Sequence, residues 1–135
     1  MHIGIVTSGY WGPSGVYTNV RDLCRYLSIN KIDVTVFSPD VASDRCDEHI
    51  RFMRIADVKF IPQIIFYVFA IFKTFLRKRI DVVNCHDSIA FVGIYHVCKL
   101  LKIKCIFTVQ GSIYSKNRTM DYSGMESAIY RFTNK

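Results

Sequence analysis

The sequence predicts an α/β fold: one parallel sheet with helices on both of its faces. Three observations carry this. Short apolar runs alternate with segments of helical periodicity along the chain. Most of these runs are apolar rather than alternating with polar residues, as strands buried on both faces must be. Turn residues separate each run from the next element. With 135 residues, 50% of them apolar and 21% charged, the chain is one domain able to bury a core, and disorder is excluded. It holds no internal repeat, low-complexity tract or linker.

The first run, HIGIVTS at residues 2–8, reads as a buried strand ending in turn residues. Beyond it Val16, Val20, Leu23, Cys24 and Leu27 recur at helical spacing, with Thr18, Asn19, Arg21, Asp22 and Arg25 on the other faces. Ser14 is placed to cap this helix and Asn30 to stop it. DVTVFSP (33–39) and HIRFMRI (49–55) follow as the second and third strands. PQIIFYVFAIFKTFLRKR (62–79) predicts a helix with Pro62 in its first turn, where a missing N–H costs nothing. IDVVNCH (80–86) is the fourth strand, SIAFVGIYHVCKLL (88–101) a helix, and KCIFTVQGS (104–112) the fifth strand. A polar segment leads to a last helical fragment at residues 125–135.

Lys and Arg number 18 against 11 Asp and Glu, a net charge of +7. Such a surplus favours anionic partners: nucleic acid, phosphorylated molecules or an anionic membrane face. Nucleic acid is set aside, because the cations are spread along helices and turns with no platform for base stacking. The five cysteines, Cys24, Cys46, Cys85, Cys98 and Cys105, are scattered and form no CxxC pair. They indicate neither a disulfide framework nor a zinc site, and read as small hydrophobes in a reducing compartment. The chain opens directly on a strand with no charged-then-apolar leader, so the expected location is the cytoplasm.

The helix at 62–79 leaves two readings open. Its nine consecutive apolar residues, 64–72, fall short of the roughly 20 that span a bilayer. One reading is a helix packed on the sheet. The other adds a membrane surface at the inner face of the membrane: Phe66 and Phe69, followed by Lys73, Arg77, Lys78 and Arg79, suit shallow insertion beside anionic lipid.

Ligands of open α/β sheets bind beyond the carboxyl ends of the strands. After the first strand stand Gly9, Tyr10, Trp11, Gly12, Pro13, Ser14 and Gly15; after the fourth, His86 and Asp87; after the fifth, Gln110, Gly111 and Ser112. Gly12 and Gly15 carry no side chain, so a bulky anion can reach the backbone N–H groups and the helix N-terminus behind them. A phosphate or diphosphate is the expected guest. The glycines at 9, 12 and 15 match neither a Walker loop nor GxGxxG. His86 beside Asp87 at a strand end points to ligand contact. His2, His49 and His96 read as structural: an exposed terminus, a strand start and a helix face. No HExxH or Cys/His spacing predicts a metal, no GxSxG predicts a serine hydrolase, and Glu48 and Glu126 are the only glutamates.

Taken together, MHIGIVTSGYWGPSGVYTNVRDLCRYL, VTVFSP, DVVNCHDS and KCIFTVQGS resemble the N-terminal domain of a family 4 glycosyltransferase, an enzyme of two Rossmann-like domains. The resemblance covers nearly the whole chain, and it rests on the order and spacing of the motifs. It implies retaining transfer of a sugar from a nucleotide-sugar donor to a glycan or lipid-linked acceptor, as in polysaccharide biosynthesis. It implies that Gly12, Pro13, Ser14 and Gly15 lie over the donor diphosphate, and that His86, Asp87, Gln110, Gly111 and Ser112 line the acceptor and sugar side. No cofactor is implied and no catalytic residue is assigned. Gln110 stands where relatives commonly carry His; an amide can hydrogen-bond a sugar hydroxyl but cannot act as acid or base. Residues 1–135 are expected to form one incomplete Rossmann-like acceptor-side domain, truncated relative to the family. The C-terminal donor-binding domain is expected to be absent, the chain being either a truncated product or one half of a split enzyme completed by another chain, and the polypeptide alone is expected to be inactive. The competing expectation is an α/β module that binds a phosphorylated small molecule without catalysis.

Overall fold

The computed structural model describes residues 1–8, 15–40, 47–56 and 61–108, without the side chains of Ile61, Pro62, Ser88 and Ile89. In chain order these form β1 (His2–Val6), α1 (Gly15–Ile29), β2 (Asp33–Ser38), β3 (Ile50–Arg54), α2 (Ile61–Arg77), β4 (Val82–Cys85), α3 (Ser88–Leu100) and β5 (Lys104–Phe107). Each expected strand and helix up to residue 107 is present. The last helical fragment, Cys46, and the Ser14 cap lie outside the described residues.

All four strand pairings are parallel, and the sheet order is β3-β2-β1-β4-β5. The chain therefore steps from β1 out to β3, crosses back through α2 to β4 on the other side of β1, and reaches β5 through α3. Alternation along the strands divides the core in two. Ile5, Val34 and Val36 pack with Val20, Cys24 and Leu27 of α1. Val6, Phe37, Val83 and Cys85 pack with Tyr67, Ala70 and Ile71 of α2 and with Phe91, Ile94 and Cys98 of α3. One helix covers one face and two cover the other, as a parallel sheet requires.

Two glycines make this packing possible. At Gly4 a Cβ would stand 3.1 Å from the Phe37 ring, which crosses β1 there. At Gly93 a Cβ would stand 2.2 Å from an Ile64 methyl, so α3 approaches α2 at backbone distance.

Helices α1 and α3 end alike. Lys31 and Lys102 adopt the left-handed conformation, with φ of 56° and 55°. The Lys31 N–H donates to the Ser28 carbonyl and that of Ile32 to Leu27; likewise Lys102 donates to Lys99 and Ile103 to Cys98. This double hydrogen bond is the Schellman motif, which the apolar residue after the left-handed one completes. Asn30, expected to stop α1, precedes the turning residue and donates through its amide to the Tyr26 carbonyl.

His2 corrects an expectation. It is 5% exposed, not a solvated terminus. Its Nε2 lies 2.9 Å from the Thr35 hydroxyl, its Nδ1 3.1 Å from the Arg79 carbonyl, and its backbone N–H donates to the Asp81 carboxylate. Burial holds the imidazole below its ordinary pKa. Beside it, the Lys78 ammonium and the His49 ring bind Asp33 and hold its carboxyl at about 2. These residues tie the end of α2 to the amino ends of β1 and β2.

Candidate functional site

The order of the sheet reverses between β1 and β4, and a crevice opens beyond the carboxyl ends of two strands that diverge in this way. From β1 the chain goes to α1 on one face; from β4 it goes to α3 on the other. The two exits are stitched together, since the His86 N–H donates to the Val6 carbonyl at 2.8 Å. On the far side the Thr108 N–H donates to the Cys85 carbonyl, and the Thr108 hydroxyl to Asn84 Oδ1 at 2.7 Å. Thr108, the last described residue after β5, thus stands beside the exit of β4.

The structure sorts the two helix N-termini at this edge. Asp87 caps α3: its Oδ1 accepts from the Ala90 N–H at 2.9 Å. That carboxylate satisfies orphan N–H groups and brings negative charge to the positive end of the helix. The start of α1 has no acidic residue in its first turn. Gly15, its first residue, is exposed, and a Cβ there would meet nothing within 4 Å. Among the described residues, the two termini thus differ: α3 meets a carboxylate at its cap, and the first turn of α1 carries none.

His86 is half-buried, and burial lowers its pKa below the ordinary value near 6.5. The imidazole is neutral at neutral pH, so it offers one nitrogen donor and one acceptor. Tyr67, which the sequence reading placed only within a helix, supports the site from below. It is fully buried in α2 and its hydroxyl donates to the Thr7 carbonyl at 3.1 Å, at the point where β1 ends. A lone tyrosine in an apolar run gives no sign of such a role. Phe91, in the first turn of α3, stacks on Phe107 with centroids 4.6 Å apart and packs the floor under Asp87.

Of the residues expected at the site, the structure brings Gly15, His86 and Asp87 to the same sheet edge. Gly12, Pro13, Ser14, Gln110, Gly111 and Ser112 lie outside the described residues. The thiols of Cys85 and Cys98 are buried, and their pKa values are pushed up, at Cys85 by that burial and at Cys98 first by a hydrogen bond with the Cys105 thiol. They act as core, not as nucleophiles. Among the described residues, no three His, Cys, Asp or Glu side chains gather to hold a metal ion. Phe66 and Phe69 are exposed on α2, as are Lys73 and Arg77, with Lys78 and Arg79 just beyond its end. No described helix is long and apolar enough to cross a membrane.

Solved structures share the Rossmann-like fold. Sucrose-phosphate synthase from Thermosynechococcus elongatus aligns with a TM-score of 0.64 at 16% identity, over 95% of this chain and 39% of that one. UDP-GlcNAc 2-epimerase from Methanocaldococcus jannaschii aligns at 0.62 and 17%, over 97% and 37%. A ugt transferase from Siraitia grosvenorii, solved in complex with UDP, aligns at 0.57 and 18%, over 78% and 23%. The chain thus spans well under half the length of each of these structures. A search of curated protein sequences finds no match. The profile of Glycosyltransferase Family 4 matches residues 13–135, from the loop after β1 onward. Sequence pattern and doubly wound sheet agree, and the chain belongs to glycosyltransferase family 4.

Proposed function

We propose that this chain forms the acceptor-side lobe of a retaining glycosyltransferase, which moves a sugar from a nucleotide-sugar donor to a glycan or lipid-linked acceptor. The observation that carries the reading is the strand order that reverses at β1 and β4, with α1, whose first turn holds no acidic residue, following one exit and the neutral His86 stitched to it. In this reading Gly12, Pro13, Ser14 and Gly15 approach the donor diphosphate through bare backbone, and the helix end stabilises its charge as the sugar leaves. His86 hydrogen-bonds a sugar hydroxyl, with Gln110, Gly111 and Ser112 on the acceptor side. Asp87 holds α3 and the His86 backbone in place through its cap. The reaction needs no cofactor.

A diphosphate held from one side only is poorly stabilised, because preorganised donors must surround the developing charge. A second, donor-binding lobe therefore completes the cleft, and residues 1–135 alone are inactive. Calorimetric titration of the chain with nucleotide sugars tests this. The expected result is no saturable binding by the chain alone, with binding and transfer recovered when a complementing donor-binding lobe is added. Tight, saturable donor binding by the isolated chain would overturn the two-lobe reading. Saturable binding of simple phosphorylated molecules without transfer in the complemented protein would favour a binding module.

A further inference from the structure

We propose that the outer face of α2 docks on an anionic lipid bilayer. Among the described side chains of α2, seven are exposed, and five of them are large and apolar: Ile65, Phe66, Phe69, Phe72 and Leu76. Spacings of four, three and four place Ile65, Phe69, Phe72 and Leu76 in one line along the helix. At 1.5 Å per residue that line is about 16 Å long. Phe69 is 63% exposed and Leu76 70%, so the line is not the rim of the core. The core-facing stripe of the same helix, with Tyr67, Ala70, Ile71 and Thr74, is buried and complete without it. A contiguous exposed apolar surface of this kind marks an interaction site.

Charge selects the partner. Helix α2 contains no acidic residue, and Lys73 and Arg77, one turn apart, flank the apolar line in the same row as Phe66. Neither has an ion-pair partner among the described residues. The two cations that follow are engaged elsewhere: Lys78 binds Asp33, and Arg79 stands 4.0 Å from Asp81. A second copy of this chain docked through the same face would bring like charges together without a counter-charge. An anionic headgroup layer satisfies both features at once, with the apolar line at the acyl boundary and the two cations at phosphate depth. The helix lies in the plane of the surface.

Flotation of the full chain with vesicles tests this without any sugar donor, so its outcome is independent of the transfer reading. Phosphatidylcholine vesicles containing phosphatidylglycerol are compared with phosphatidylcholine alone. The chain should float with the mixed vesicles only, and added salt should release it. Lys73→Ala and Arg77→Ala should each weaken partitioning about fivefold. The double variant Phe69→Ser/Phe72→Ser should weaken it more than about tenfold, while its unfolding midpoint should fall only modestly, since Phe69 is 63% and Phe72 41% exposed. Equal binding to neutral vesicles, or full binding by the phenylalanine variant, would overturn the proposal. So would the absence of vesicle binding in a chain that self-associates, with the association lost in that same variant.

Discussion

Helices α1 and α2 do the same structural work on opposite faces of one sheet, yet turn different surfaces outward. The outer side of α1 carries Thr18, Asn19, Asp22 and Arg25, and its large exposed apolar groups, Tyr26 and Ile29, sit at its end. That of α2 is an apolar line with a basic flank. Covering a sheet demands one apolar stripe per helix. What α1 shows is a helix meeting that demand and no more; the excess on α2 has to be explained by something outside the core. The inner faces differ too. The α1 face is closed by side chains of one helix, the opposite face by two helices in near-backbone contact at Gly93.

This contrast can be broken by substitution. The largest effect is expected at Tyr67, the bulkiest fully buried side chain. Tyr67→Ala should cost about 3–5 kcal/mol by cavity formation and by loss of the donor to Thr7. Val20→Ala, on the α1 face, should cost less, because fewer buried atoms are removed. Denaturant midpoints compare the two, and equal losses would erase the distinction between the faces.

A smaller effect is expected at Gly93. An added methyl must displace the β-branched methyl of Ile64, which cannot swing aside, so Gly93→Ala should destabilise by about 1–3 kcal/mol despite its better helix propensity. A gain in thermal stability would mean that α2 and α3 stand further apart.

The mildest test is pH. His2 and His86 have pKa values lowered by burial, so they bind protons more readily when unfolded. Their contribution is full above about 6.5 and is lost as pH falls below it. Asp33, held at about 2, contributes above the ordinary carboxylate range and loses that contribution as pH falls from about 4 toward 2. Unfolding midpoints should therefore decline in two stages on acidification, the first with the histidines and the second with Asp33. A flat profile between pH 7.5 and 5.5 would show that neither imidazole is shielded from water.

Much of this was legible in the residues. The strand and helix positions follow from apolar runs and periodicity, and element ends moved by no more than two residues wherever both ends are described. His86 and Asp87 were found because strand ends are where α/β sheets bind ligands. Their division of labour was not legible. Asp87 serves as a cap, and only the position of the Ala90 N–H discloses it. His2 was misread because proximity to a terminus says nothing of what covers it; its partners come from residues 35, 79 and 81.

Local chemistry thus determined the alternation of elements, the glycines that precede α1, and the apolar density of α2, since each depends on neighbours a few residues apart. Tertiary structure decided the strand order that makes a crevice of two distant exits, the burial of His2, and which of four nearby cations find a carboxylate among the described residues. Those outcomes depend on contacts across tens of residues, such as Asp33 with Lys78 and His2 with Asp81. No periodicity announces such contacts, because only the folded chain brings the partners together.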